Sequence, residues 1–189
     1  QITDLQSQKT NLLAKYNVGT ILDYSVEGVG SKYNFQFTVK EIKNTIDAAN
    51  NSFYIPFSVF KLTGLTSFSI LKATNNSLEK LSVNQLVEYD NFIKRVNEIC
   101  SYAAEKNVRI FIDAEDSWFQ GSIDRVAELM MNRYNQNEVV VYTTIQFYRW
   151  DRLAYLKELH AKGKKENFKI GVKLVRGAYM EKERAMAVK

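Results

Sequence analysis

Apolar positions along the chain follow two different patterns. In the first part they recur at the spacing of helical turns, as at Val39, Ile42 and Ile46. In the remainder, short apolar runs alternate with helical stretches. The pattern therefore predicts a helical N-terminal segment over residues 1–55 and an α/β part over residues 56–189.

Within the N-terminal segment, two features define the predicted helices. The sequence Thr38-Val39-Lys40-Glu41 matches a capping box, which predicts that a helix begins there. Residues 21–28 follow no clear period, and we interpret them as another short helical piece. This segment is therefore expected to contain helices only.

Four short runs rich in apolar, aromatic and β-branched residues predict strands. They cover residues 57–63, 108–115, 139–146 and 169–176. Because these runs are apolar on both faces and are separated by helical stretches, we expect parallel strands. The last run is expected to be buried apart from Lys173 and Arg176.

Each predicted strand ends in a polar residue. These residues are Lys61, Asp113, Gln146 and Lys173, which lie 52, 33 and 27 positions apart, with Arg176 beyond the last. Carboxyl ends of parallel strands lie on one side of an α/β fold, so we expect these residues to converge. The last two gaps match one unit of a (βα)8 barrel, about 31 residues.

The favoured fold class is α/β, with about four βα units of a (βα)8 TIM-type barrel. A doubly wound sheet is the alternative. It would place a glycine-rich phosphate-binding turn after the first strand, whereas residues 63–67 contain only Gly64. Four units form half a barrel with two open edges, so we expect part of a longer protein. Self-association through those edges is a further hypothesis.

Composition and charge narrow the range of functions. The net charge of +5 is scattered along 189 residues, so no nucleic-acid partner is expected. Cys100 and His160 are the only residues of their types, and neither suggests a metal site or a catalytic triad. A cation, a carboxylate, an amide and an aromatic ring without a catalytic histidine suggest that a cofactor carries the reaction.

Each candidate also has an ordinary structural interpretation. Lys61 and Asp113 form either a ligand site or a salt bridge. Gln146 suits a flat heteroaromatic ring, but a satisfied core amide is commoner. Tyr179 either stacks on a ring or fills core space. Glu115 is expected to be a charge at a helix N-terminus.

Taken together, several motifs resemble the proline dehydrogenase family. Four occur in order along the chain: Phe60-Lys61-Leu62-Thr63-Gly64-Leu65, Ile112-Asp113-Ala114-Glu115, Ile145-Gln146-Phe147-Tyr148 and Lys173-Leu174-Val175-Arg176-Gly177-Ala178-Tyr179. Ser25-Val26-Glu27-Gly28 is similar to a motif in the helical N-terminal part of the family. Each motif is weak alone, but four at these spacings are specific.

The resemblance implies an FAD-dependent barrel that oxidises L-proline to pyrroline-5-carboxylate. Its electrons pass to a membrane quinone. The resemblance places the whole protein in the cytoplasm or in peripheral contact with the inner membrane, and in the mitochondrion of a eukaryote.

Roles for individual residues follow from the same resemblance. Lys61 faces the substrate carboxylate, Asp113 reaches from the proline pocket towards the flavin, and Tyr179 walls the active site. The residues expected to contact FAD are Asp113, Gln146, Lys173, Val175, Arg176, Gly177 and Ala178. Many family members have Arg at the position of Lys173, so that contact is altered here.

The family places further proline and FAD ligands on later strands and its last helix. We therefore expect this chain alone to bind FAD weakly or not at all and to be inactive. A yellow, proline-oxidising preparation of the chain would contradict this expectation. Two other functions remain open: a non-catalytic α/β partner-binding module, and a barrel enzyme that binds a phosphate-bearing substrate through Lys61, Lys173 and Arg176. A flavin absorbance spectrum of the full-length protein distinguishes them.

Overall fold

The computed structural model describes residues 3–24 and 35–187, where the chain forms an α/β fold. The strands are β1 (Ile21–Asp23), β2 (Phe57–Phe60), β3 (Arg109–Ile112), β4 (Val141–Gln146) and β5 (Val172–Val175). The helices are α1 (Thr3–Ala14), α2 (Phe35–Asn50), α3 (Phe68–Asn76), α4 (Val83–Glu105), α5 (Ser117–Tyr134), α6 (Arg152–Glu166) and α7 (Met180–Ala187), with a short 3-10 turn at Leu62–Gly64.

All five strands belong to one parallel sheet, in the order β1-β2-β3-β4-β5. Each strand thus pairs with the next one along the chain, as in the wall of a (βα)8 barrel. A doubly wound sheet would reverse its strand order at a switch point, and this sheet has no reversal among the described strands. The predicted fold class is confirmed.

The main core lies between the sheet and the layer of helices. The hydroxyls of Ser58 on β2 and Thr45 on α2 form a hydrogen bond at 2.6 Å, which shows that this face of the strand packs against the helices. Fully buried apolar side chains fill the layer: Ile42, Ile46, Phe60, Val96, Ile99, Ile110, Ile112, Ile123, Val126 and Met130. Each such side chain contributes about 1.5–3 kcal/mol to stability.

The opposite face of the sheet carries an aromatic cluster. The rings of Phe57 and Phe111 stack with centroids 4.4 Å apart, and Tyr142 meets both edge-on. Gly171 precedes β5 beside this cluster. A Cβ atom there would lie 2.7 Å from the Tyr142 ring, so the position requires glycine. These rings support the polar strand ends that lie beyond them on the same face.

The N-terminal segment differs from the prediction. Residues 21–23 were expected to be helical, but they form β1 and pair with β2. Three residues are too few to display a period, and pairing with β2 supplies the backbone hydrogen bonds that decide their conformation. The sheet therefore has five strands rather than four, and its first strand comes from within residues 1–55.

Two further expectations concern the same segment. The predicted capping box at Thr38 is wrong, because α2 begins at Phe35 and Thr38 is buried inside the helix. Residues 35–37 are already helical, so Thr38 does not lie at the start of the helix and cannot cap it. The motif Ser25-Val26-Glu27-Gly28 lies outside the described residues.

The start of α4 and the last strand are set by different contacts. Ser82 and Gln85 form a capping box at the start of α4, with both reciprocal hydrogen bonds present. The expected burial of the last strand is wrong, since Leu174 is 54% exposed. The reason is that β5 is an edge strand of the described sheet, which leaves one of its sides without a neighbour.

Asn135, at the end of α5, links three elements through a fully buried side chain. Its Oδ1 accepts the backbone N–H groups of Val140 and Val141 at 3.0 and 2.9 Å. Its Nδ2 donates to the carbonyl of Val141 at 2.8 Å and to that of Lys169 at 3.0 Å. One amide thus joins α5 to β4 and to the segment that leads into β5.

We predict that Asn135→Ala lowers the free energy of unfolding by about 2–4 kcal/mol, because it leaves several buried backbone groups unsatisfied. Urea unfolding followed by circular dichroism measures the change. The exposed Asn137→Ala is the matched control and should change stability by less than about 0.5 kcal/mol. Equal stability of the two variants would contradict the role assigned to Asn135.

Candidate active site at the carboxyl ends of the strands

Four polar side chains form a row across the carboxyl ends of β2 to β5. The strand register aligns Lys61, Asp113, Thr144 and Lys173, the first two lying directly after β2 and β3. Because side chains alternate between the faces of a strand, all four point to the face that carries the aromatic cluster. We call these four residues the charged row.

Asp113 is the centre of the charged row. Its Oδ2 accepts a hydrogen bond from the Lys61 ammonium at 3.1 Å. Its Oδ1 accepts from the Thr144 hydroxyl at 3.1 Å and from the Lys173 ammonium at 2.5 Å. The side chains of Lys61, Asp113 and Lys173 are 10%, 18% and 29% exposed. The predicted convergence of these strand ends is confirmed.

The carboxylate and the two ammonium groups of the row stabilise each other's charged forms. Burial, the largest influence on Lys61, opposes its charge, but the nearby Asp113 carboxylate outweighs it and holds the pKa of Lys61 above its usual range. Burial likewise opposes the charge of Asp113. Its hydrogen bond to Lys173 and the charges of both lysines outweigh this, so the pKa of Asp113 lies below its usual range. The carboxylate is therefore ionised at neutral pH.

Asp23, at the end of β1, adds a negative charge on the Lys61 side of the row. Its charge contributes to the raised pKa of Lys61. The sequence interpretation missed Asp23 because residues 21–28 were expected to be helical. The available signal was an apolar run that ends in a carboxylate, Ile21-Leu22-Asp23, just as Ile112 precedes Asp113.

Gln146 lies one row further towards the strand ends, opposite Val175 of β5. Its buried amide nitrogen donates to the backbone carbonyl of Glu115 at 2.6 Å and to the Tyr148 hydroxyl at 2.9 Å. Its Oε1 accepts from Arg149 at 3.4 Å. Both amide hydrogens are therefore engaged within the protein, while the oxygen keeps acceptor capacity.

Glu115 lies two residues before α5, near the helix N-terminus as expected, but its side chain is buried and bound within the protein. Its carboxylate accepts the backbone N–H of Thr63 at 3.1 Å and the Thr63 hydroxyl at 2.5 Å. Thr63 belongs to the 3-10 turn after β2. The contact therefore fixes that turn against the loop after β3 and sets the position of Lys61.

A cleft of about 410 Å³ opens over the charged row. It is lined by Lys61, Asp113, Ala114, Thr144, Gln146, Lys173, Val175, Ala178 and Tyr179. Seven of the predicted site residues thus share one cleft. Arg176 and Gly177, which were also expected to contact the cofactor, do not line it, and both are exposed.

Tyr179 closes one side of the cleft between β5 and α7. Its backbone lies in the left-handed region, with φ 59°, which is uncommon for a residue with a side chain. Its ring also lies 5.0 Å from the Lys182 ammonium. A strained backbone at a cleft wall suits a functional position.

The described part of the chain contains neither a candidate membrane span nor a candidate metal cluster. Within residues 3–24 and 35–187, no helix has the length and apolar character needed to cross a membrane. The same residues contain no cluster of three or more His, Cys, Asp or Glu side chains placed to hold a metal ion.

A parallel sheet in sequential order, with charged groups gathered at its carboxyl ends, matches the wall of a (βα)8 barrel. Sequence comparison identifies the family. The profile described as proline dehydrogenase matches residues 7–189. The chain belongs to the proline dehydrogenase family.

Individual relatives agree with this assignment. The carbapenem antibiotics biosynthesis protein CarD of Pectobacterium carotovorum subsp. carotovorum is 30% identical over 183 residues, which cover 97% of this chain and 48% of CarD. Mitochondrial proline dehydrogenase 1 of Dictyostelium discoideum is 28% identical over 219 residues, covering 96% of this chain and 38% of that protein. The chain thus spans about half, or less, of these relatives.

Solved structures of proline utilization A share the fold. The protein from Bdellovibrio bacteriovorus matches with a TM-score of 0.75 at 18% identity, over 96% of this chain and 20% of that one. The protein from Corynebacterium freiburgense matches with a TM-score of 0.75 at 14% identity, over 99% and 19% respectively. At these identities the likeness concerns the fold alone.

We predict that Asp113→Asn lowers the free energy of unfolding by about 2–4 kcal/mol at pH 7, because two partly buried ammonium groups lose their carboxylate. The folded-state pKa of Asp113 is depressed, so its stabilisation is present above the unfolded value and lost as pH falls through the folded one. The difference between parent and variant should therefore shrink below about pH 4. The raised pKa of Lys61 adds stability that is fully present below about pH 10.5 and is lost only at more alkaline pH.

Urea unfolding at pH 7 and pH 3 measures this effect. Asp90→Asn is the matched control, because Asp90 forms only an exposed helical pair with Lys94 and should change stability little at either pH. A deficit of Asp113→Asn that is the same at both pH values would contradict the charged row.

Proposed function

We propose that the protein containing this chain oxidises L-proline to pyrroline-5-carboxylate with FAD. The single observation that carries the proposal is the charged row. It places two lysines on one ionised carboxylate at the floor of an open cleft, in a chain that matches the proline dehydrogenase family over residues 7–189. The resemblance of the four motifs adds the roles of the individual residues.

The donor set of the cleft fits a flavin. Lys173 presents an ammonium group at the cleft edge, and Ala178 lines the same wall with a small side chain. Gln146 offers an amide oxygen and Tyr179 an aromatic ring. We propose that five residues of the cleft hold FAD, namely Asp113, Gln146, Lys173, Val175 and Ala178, and that Arg176 and Gly177 contact it outside the cleft. When bound, FAD supplies the acceptor for the two electrons and the proton that leave proline as hydride.

The side chains of the cleft have three tasks in this scheme. Lys61 binds the proline carboxylate, with Tyr179 closing the pocket beside it. Lys173 stabilises the negative charge that builds up on the acceptor side, where low local dielectric strengthens its effect. Asp113 keeps both ammonium groups charged and fixes their separation.

Three further points rest on the family alone. We propose that a membrane quinone takes up the electrons and that the whole protein meets the membrane peripherally. We also propose that the 189-residue chain by itself binds FAD weakly or not at all, because the family's remaining ligands come from later strands. A phosphate-bearing substrate is less well supported, since Arg176 does not line the cleft with Lys61 and Lys173.

We predict that Lys173→Met reduces kcat for proline oxidation about 10²- to 10³-fold in the FAD-loaded full-length protein, because one preorganised cation is lost. Proline-dependent reduction of a dye acceptor measures the rate. Lys169→Met is the matched control: Lys169 is an exposed lysine just before β5 that donates to the carbonyl of Asn137. It should retain the parent rate.

Two results would contradict the proposed function. One is an FAD-loaded protein that does not oxidise proline. The other is a Lys173→Met variant with the same kcat as Lys169→Met. N-propargylglycine, which inactivates proline utilization A from Bdellovibrio bacteriovorus, should also inactivate the full-length protein, and proline should protect against it.

A further inference from the structure

A chain of buried polar contacts runs from Gln146 into α5. The Gln146 amide nitrogen donates to the carbonyl of Glu115. The backbone N–H of Glu115 donates to Gln120 Oε1 at 2.9 Å. Gln120 Nε2 then donates to Asp124 Oδ1 at 2.8 Å, one helical turn further along. Gln120, Asp124 and Gln146 are all buried.

A second chain of contacts returns from α5 to Gln146 through the turn after β4. The other oxygen of Asp124 accepts from Arg152 Nη1 at 2.6 Å. Arg152 also donates to Asp151 Oδ2 through Nε and Nη2, at 3.2 and 2.8 Å. Asp151 accepts two further bonds from Arg149, at 3.1 and 2.8 Å. Arg149 Nη1 finally donates to Gln146 Oε1 at 3.4 Å.

These contacts close on themselves, and we call the set the polar ring. Its members are Glu115, Gln120, Asp124, Gln146, Arg149, Asp151 and Arg152. The ring joins the carboxyl ends of β3 and β4 to the first turns of α5 and α6. Two arginines and two aspartates balance each other in formal charge. Glu115 enters the ring through its backbone groups alone, while its carboxylate binds Thr63. A closed ring restrains each member from two sides, so no member turns without breaking a contact.

The ring fixes which end of the Gln146 amide is available to a ligand. Both amide hydrogens are used, by Glu115 and by the Tyr148 hydroxyl. Among the residues that the structure describes, Arg149 alone donates to the oxygen, through a long contact, so the oxygen keeps one acceptor position. Gln146 also lines the cleft. Its side chain is thereby set to accept, rather than donate, a hydrogen bond from a ligand.

We propose that Arg149, with Asp151 and Arg152 behind it, is a positioning residue that orients the Gln146 amide towards the cofactor. The inference rests on the proposed function for the identity of the ligand, but the orientation itself belongs to the chain. None of these three residues lines the cleft, so they act through Gln146. The ligand they favour there is a ring with an N–H donor, such as the imide of a flavin.

The role of Arg149 can be tested apart from the stability of the fold. The side chains of Arg149 and Asp151 are 18% and 27% exposed, so both keep some access to water. Asp151 keeps Arg152 as a partner when Arg149 is removed. The function of Arg149 is therefore separable from global stability by mutation.

The test uses Arg149→Met in the full-length protein, with Arg149→Lys as the conservative variant. Arg133→Met is the matched control, since Arg133 bonds only Asn97 among the contacts described for it and is exposed. The first readout is backbone hydrogen exchange without cofactor, over residues 113–116 and 146–152. The second is the dissociation constant for FAD, with the KM for proline measured alongside it.

We expect Arg149→Met to speed exchange in both segments at least tenfold and to raise the FAD dissociation constant about tenfold. The KM for proline and the urea midpoint should match those of Arg133→Met. Arg149→Lys should recover part of both losses, because it restores the charge beside Asp151. A changed KM at unchanged FAD affinity would overturn the proposal.

Two other results test the positioning role of Arg149 and the proposed function separately. If Arg149→Met leaves exchange and FAD affinity as in the control, or changes them only together with the urea midpoint, the positioning role is wrong. If the parent protein binds no FAD, the proposed function fails. The exchange measurement then still decides whether Arg149 orders Gln146, because it needs no cofactor.

Discussion

One carboxylate, that of Asp113 after β3, connects its own strand to three others of the sheet. It accepts from Lys61 after β2, from Thr144 in β4 and from Lys173 in β5. Removing charges from water is costly, so these contacts form only where the strand register brings the groups into one row. The sheet beneath supplies that register, and the stacked rings of Phe57 and Phe111 support the row from below. Fold and site therefore depend on the same alignment of strands.

A second network of polar side chains lies behind the charged row and serves a different purpose. The charged row faces the cleft and carries net positive charge, whereas the polar ring lies behind Gln146, with two arginines facing two aspartates. The two sets meet at β3 and β4, where Asp113 and Gln146 leave neighbouring strand ends. A ligand in the cleft therefore meets cations on one side and an oriented amide on the other. This division suits the proposed reaction, in which the substrate carries a carboxylate and the acceptor is a heteroaromatic ring.

Much of the site was predictable because its signals are local in sequence. Apolar runs that end in Lys61, Asp113 and Gln146 identify the strand ends, and parallel pairing then requires their convergence. β1 was not predictable in the same way, since Ile21–Asp23 is too short to show a period and owes its conformation to pairing with β2. The exposure of Leu174 likewise depends on a neighbouring strand and not on the sequence of β5.

The polar ring was also not predictable from the sequence. Arg149, Asp151 and Arg152 resemble ordinary charges around a helix start, and only the packing of α5 against α6 brings Asp124 to Arg152. Glu115 shows the same effect: a carboxylate before a helix suggests a solvated end, yet Thr63 buries it. Pairings between distant polar residues depend on packing geometry, which periodicity does not encode.

In the proposed function, the charged row and its cleft belong to a flavin-dependent proline dehydrogenase. Anaerobic addition of L-proline to the FAD-loaded full-length protein is the most direct test. The visible flavin absorbance should bleach in a proline-dependent manner. Bound FAD whose absorbance does not change with proline at any concentration would contradict it.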